Sequence, residues 1–227
     1  MAKMDEFREE REAMKEKPFG ERLAYFWEYN KLPVIIGLFG IICAISIIVS
    51  IVTKKEALIE GILLNRYWLQ MDGANCDKIS NAYLEYRGLD PEESELLLNG
   101  SLYFVANDEG GISTSSVEAA QAIAAQCIAG ALDFMTADVE SLHEFDSTQY
   151  MYDLRDVLTE EQLERYSDYF IYSKRDETIP IMVDVTGSKT LESEYTVKYE
   201  QMGFAIMANA PHIEETQLFL DYLMQDK

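Results

Sequence analysis

Hydrophobic positions follow three regimes along the chain. Residues 5–17 (DEFREEREAMKEK) are charged on every side, with Arg8 and Glu12 one helical turn apart. That pattern predicts a solvated helix, ended by Pro18 and Gly20. Residues 34–53 (VIIGLFGIICAISIIVSIVT) hold no charge, and thirteen of the twenty are Val, Ile, Leu or Phe. As a helix this run spans about 30 Å, the hydrocarbon thickness of a bilayer. Its Val, Ile, Leu and Phe side chains favour insertion by about 4–8 kcal/mol. Beyond it, apolar positions come in short runs separated by polar ones, the pattern of alternating helices and strands.

In the third regime, residues 57–69 read as a stem or first strand, and 78–86 as an amphipathic helix. Leu89-Asp90-Pro91-Glu92-Glu93 reads as a helix start, with Asp90 as cap and Pro91 in the first turn. Residues 101–106 (SLYFVA) predict a strand. An Ala-rich helix follows from about Val117, capped by the serines before it with Ser115 and Glu118 in capping-box spacing, and stops at Gly130. Residues 131–135 predict a strand. Residues 151–158 and 159–166 lead into three strands at 169–173, 179–185 and 202–208. A closing amphipathic helix at 212–224 turns Leu218, Leu220 and Leu223 inward. Such alternation implies a compact, three-layer-like α/β domain with a mixed sheet. The chain therefore divides into a charged, helical cytoplasmic leader (1–31), a transmembrane helix (32–55) and an extracytoplasmic domain (56–227).

Charge sets the orientation. The first 31 residues carry seven Lys and Arg. Residues 54–227 carry 12 basic against 33 acidic residues, a net charge of −21 out of −22 for the whole chain. The basic bias favours a cytoplasmic N-terminus and an outside C-terminal domain. Tyr25, Phe26, Trp27 and Tyr29 fall where interfacial rings prefer to lie. The apolar run is longer than the core of a signal peptide, so an uncleaved single-pass anchor is expected. Gly40 and Ala44, like Ser46 and Ser50, have the spacing of close helix contacts, and composition alone also accounts for them. The acidity excludes a nucleic-acid binder, which needs a basic face. Between residues 88 and 154 there is no Lys or Arg against 13 acids. This surface repels anionic lipid and reads as a solvated face or one that attracts basic partners.

Catalytic motifs are missing. No P-loop or nucleophile elbow occurs, and Gly187-Ser188-Lys189-Thr190 reads as a turn because the upstream glycine is absent. His143 and His212 read as surface histidines. Cys76 and Cys127 can pair or remain free. No metal or cofactor is implied. Tyr150, Tyr152, Tyr166, Tyr169 and Tyr172 cluster within 23 residues. Such rings stack on sugars, line peptide grooves, or pack in a half-buried sheet.

A resemblance runs through the domain. The Ala-rich helix before Gly130, followed by Ala131-Leu132-Asp133-Phe134-Met135, is similar to the helix-to-strand segment of the type II solute-binding proteins of ABC importers. The segment 151–158 (MYDLRDVL) and residues 203–210 with the closing helix resemble later segments of the same family. With the FWEYNK entry at residues 26–31, the chain also looks like single-pass proteins of Gram-positive, clostridia-like bacteria. The resemblance implies one lobe, or a reduced form, of such a binding protein, non-catalytic and held by its helix in the bilayer. Its ligand would lie at strand ends. Asp133, Asp138, Asp184 and Thr186 end or follow predicted strands and are the candidate contacts, joined by Tyr150 and Tyr152. Asp133 and Asp184 stand within apolar runs, so they are expected to need bonding partners. The other expectation is a protein-interaction subunit of an envelope, transport or sensing complex that has lost its small ligand.

Overall fold

A computed structural model describes residues 18–52, 55–66, 76–104, 114–146, 150–195, 198–225 and 227. The charged leader at 5–17 lies outside the described residues. Helix α1 (Phe19–Val52) starts directly after Pro18 and carries the aromatic run and the apolar run as one helix of 34 residues, Pro33 included. Its segment Lys31–Val49 is long and apolar enough to cross a membrane, and none of it is buried against protein. The chain divides into two units, residues 1–54 and 55–227.

The second unit alternates strands and helices: β1 (Glu56–Leu63), α2 (Asp77–Arg87), β2 (Ser94–Asn99), α3 (Thr114–Ala129), β3 (Phe134–Asp138) and α4 (Val139–His143). After these come α5 (Leu154–Val157), α6 (Glu160–Tyr166), β4 (Phe170–Tyr172), β5 (Pro180–Asp184), α7 (Lys189–Glu192), β6 (Met202–Ile206) and α8 (Ile213–Met224). Gly88 and Gly130 end α2 and α3 at φ +66° and +62°, a conformation that costs glycine nothing.

Five local expectations are corrected. Asp90 does cap one turn, its carboxylate accepting from the Glu92 N–H, but the chain then enters β2 rather than a helix. Parallel pairing of Ser94–Asn99 with β1 outweighs the capping signal. Residues 101–104 are irregular rather than strand, and 105–106 lie outside the described residues. Helix α3 begins at Thr114, so Ser115 stands within its first turn, not at its cap; β3 begins at Phe134, three residues later than expected. Leu218 is 42% exposed, and Phe219 takes the inward position on α8.

The six strands form one mixed sheet in the order β2-β1-β3-β6-β5-β4. β2, β1 and β3 are parallel, and β6 runs antiparallel between β3 and β5. Both faces are covered. Ile59, Leu63, Phe134 and Phe204 pack with Tyr83 of α2 and Phe219 and Leu223 of α8. Ile62, Met135, Ala205 and Met207 pack with Ile123 and Cys127 of α3 and Leu142 of α4. The chain leaves β1 for β2 on one side and returns past it to β3. Right-handed crossovers in opposite directions place α2 and α3 on opposite faces. This makes the gap between β1 and β3 a topological switch point.

Candidate functional site

The sheet divides the six sequence-derived candidates into two groups. β3 and β5 run in the same direction, with Asp138 facing Met202 and Asp184 facing Gly203 across β6. Asp138, Asp184 and Thr186 therefore share the carboxyl end of these strands. Asp133 precedes β3 at the opposite end, about 16 Å away at 3.3 Å per residue. Tyr150 and Tyr152 are at Asp133's end, flanking Met151, which bridges to Met207 just after β6. The two tyrosines pack against opposite cores of the sheet and form no common stacking surface.

At the carboxyl end, the polar groups bond to one another. Asn65 follows β1 at φ +62°. Its Nδ2 donates to Asp138 Oδ2 and Ser141 Oγ, both at 3.0 Å, and its Oδ1 accepts from the Phe104 N–H at 2.7 Å. Asp138 Oδ1 accepts the Ser141 N–H, capping α4. Beside it, buried Arg66 pairs with buried Glu194 at 2.6 Å, donates from Nε to the Glu194 carbonyl, and reaches Cys76 Sγ at 3.2 Å. Glu194 Oε1 is buried without a hydrogen-bond partner. Tyr195 donates to the Thr136 carbonyl at 3.0 Å. Asp184 Oδ1 accepts the Thr186 N–H, and the Thr186 hydroxyl accepts from the Met202 N–H, so Asp184 holds Thr186 and Thr186 ties the end of β5 to β6. Burial works to raise the Asp184 carboxyl, but the Thr186 bonds and Lys227 hold it below the usual range. A cavity of about 20 Å³ remains between Thr186, Tyr195, Tyr199 and Met202, room for one water molecule.

Cys76 and Cys127 are both buried and free, and they belong to the cores on opposite faces of the sheet. A disulfide between them is therefore absent. Burial pushes the Cys76 thiol up to about 12 and Cys127 to about 11, which removes thiolate chemistry at neutral pH.

The opposite end holds an open groove of about 510 Å³, lined by Glu56, Ala57, Leu58, Pro211, His212, Ile213, Glu214 and Glu215. Asp133, wholly buried, anchors its wall. Asp133 Oδ1 accepts the His212 N–H at 2.7 Å; its Oδ2 accepts the Glu60 N–H at 2.7 Å and lies 3.0 Å from His212 Nδ1. The expected buried acid thus has its partners, and they fix the backbone on both sides of the groove. Burial, reinforced by Asp133, raises the neighbouring Glu60 carboxyl. The expectation of two surface histidines needs correction. The His143 side chain is 8% exposed, whereas that of His212 is 43% exposed with Nδ1 held by Asp133.

Asn65, Arg66, Glu194 and His212 were not singled out as ligand contacts from sequence. The available signals were the Asn-Arg pair directly after the β1 apolar run and the Pro-His pair before α8. Glu194 carried none, because its partner is 128 residues away. Among the described residues, no Ser, Thr or Cys lines the groove. Among the described residues, no three His, Cys, Asp or Glu side chains group as metal ligands. The groove can bind, through the carboxylates and the apolar side chains that line it. No protein-family model matches the sequence, and no curated protein or solved structure matches it.

Proposed function

We propose that this chain is a single-pass, membrane-anchored and non-catalytic binding module, with its N-terminus in the cytoplasm and its acidic domain outside. In this reading the domain is a reduced relative of type II solute-binding proteins that engages a protein partner through the groove beside His212. The seven Lys and Arg of the leader and the apolar span support the orientation. One observation carries the choice of partner over solute. At the switch point, Asn65 bonds Asp138 and Arg66 pairs with Glu194, while the open groove lies at the other end of the sheet.

Bound solute remains the second reading, favoured by the unpartnered Glu194 Oε1 at the switch point. Two measurements on the full chain separate the readings. A photo-cross-linking residue at Leu58 is expected to give a protein adduct in native membranes, and one at Val117, exposed on α3, to give none. Thermal unfolding in detergent is expected to be unmoved by sugars, amino acids or divalent cations. A true solute at a hundred times its Kd adds about 2.7 kcal/mol, or about 5–10 °C for a domain of this size. A shift of that size, without an adduct at Leu58, would replace the partner reading with the solute reading.

A further inference from the structure

The groove has a chemistry that narrows its occupant. Its lining combines the half-buried apolar side chains of Ala57, Leu58 and Ile213 and the exposed Pro211 with the carboxylates of Glu56, Glu214 and Glu215. Glu56 stands at the start of β1 and Glu214 in the first turn of α8, so two elements bring carboxylates to the groove. Both are exposed, and neither enters an ion pair among the described residues. Glu215 has already been supplied with a cation by the chain itself. Arg87 pairs with Glu215 while its guanidinium lies 5.9 Å over the Tyr83 ring, and the Tyr83 hydroxyl donates to the same carboxylate at 2.7 Å. Tyr83 in turn stacks with Tyr86, whose ring is 54% exposed. Tyr83 is itself wholly buried, so of the two rings only Tyr86 offers an exposed aromatic face beside Arg87.

We infer that the groove docks a cationic segment of a partner protein, with Arg side chains on Glu56 and Glu214 and an apolar side chain against Leu58 and Ile213. This rests on the reading of the groove as a partner site. Charge complementarity selects the occupant. A domain with 33 acidic against 12 basic residues over positions 54–227 disfavours acidic peptides and anionic lipid alike. Arginine suits the site better than lysine because its planar guanidinium pairs with a carboxylate through two parallel N–H bonds, where an ammonium offers a point charge.

The test uses the full chain in phosphatidylcholine nanodiscs and a fluorescent peptide of alternating Arg and Leu, with empty nanodiscs subtracted. A Glu–Leu peptide of equal length is the counterpart. Binding is read by anisotropy at two salt concentrations. The Arg–Leu peptide is expected to bind and to weaken with salt. A Glu56→Gln/Glu214→Gln double variant is expected to lose about tenfold in affinity. A Glu118→Gln/Glu144→Gln variant, which removes the same charge from exposed positions off the groove, is expected to leave binding unchanged. Equal losses in the two double variants, or equal binding of the Glu–Leu peptide, would overturn the inference, as would no binding at all. An adduct at Leu58 combined with any of these outcomes would leave the partner reading standing and remove only its cationic character.

Discussion

Gly61 on β1 lies directly opposite Phe134 on β3, and the Phe134 ring occupies the space that a Cβ at Gly61 would need. Phe134 also stacks on Phe204, with centroids 5.0 Å apart and planes 15° from parallel, so it has no free direction of retreat. Gly61→Ala is expected to destabilise the domain by about 1–3 kcal/mol through overpacking. Adding Phe134→Leu should cost less in that background than in the wild type. A double-mutant cycle by urea denaturation reads this coupling, and additive costs would refute it.

Asp133 is expected to be structural. Asp133→Ala leaves the Glu60 and His212 N–H groups without their acceptor, at a cost of about 2–4 kcal/mol. His212→Ala removes only a half-exposed ring from the same network and should cost less than Asp133→Ala. Denaturation midpoints of the two variants check the ranking.

The Arg66–Glu194 pair should show the asymmetry of buried ions. Removing one partner, as Arg66→Met or Glu194→Gln, is expected to cost about 3–5 kcal/mol, because a charge or dipole is left buried without its counterpart. Replacing both with apolar residues should cost less than either single change. The same denaturation assay measures all three.

His143 gives the domain an acid sensitivity. Burial is the largest influence on its ring and Lys174 the next; together they outweigh Asp146 and Glu144, so its folded pKa lies below the ordinary 6.5. The unfolded chain therefore binds more protons than the folded one below about pH 6.5. The associated stability is complete above that value and is lost as pH falls toward the folded pKa. His143→Gln is expected to reduce the slope of stability against pH between about 7 and 5.5. An unchanged slope would show that the ring titrates equally in both states.

Periodicity and punctuation made α1, α2, α6, β5, β6 and α8 legible, because each carries its signal within its own residues. Pro91 misled for the opposite reason. Its local turn chemistry forms, but the residues after it become β2 by pairing with β1, a pairing no local pattern encodes. The candidate site divided in the same way. Asp133 stood out as an acid in an apolar run, and its need for partners was readable. Its end of the sheet was not, because β3 begins one residue after it. The Arg66–Glu194 pair depends on the sheet bringing the end of β1 to the α7 region, and sheet order has no signature in a single sequence.

The position of β6 has a consequence for the order of synthesis. The last strand among the described residues lies near the middle of the sheet, joining β3 to β5. Until residues 202–206 emerge, the β2-β1-β3 group and the β5-β4 hairpin have no strand between them. A nascent chain stopped short of this point holds two incomplete sheets, each with an open edge. If α1 is inserted as it is made and the domain lies outside, as proposed, the segment after it crosses the membrane before its central strand exists. Passage through a narrow channel then precedes completion of the fold, and no finished domain has to be unfolded to make the crossing.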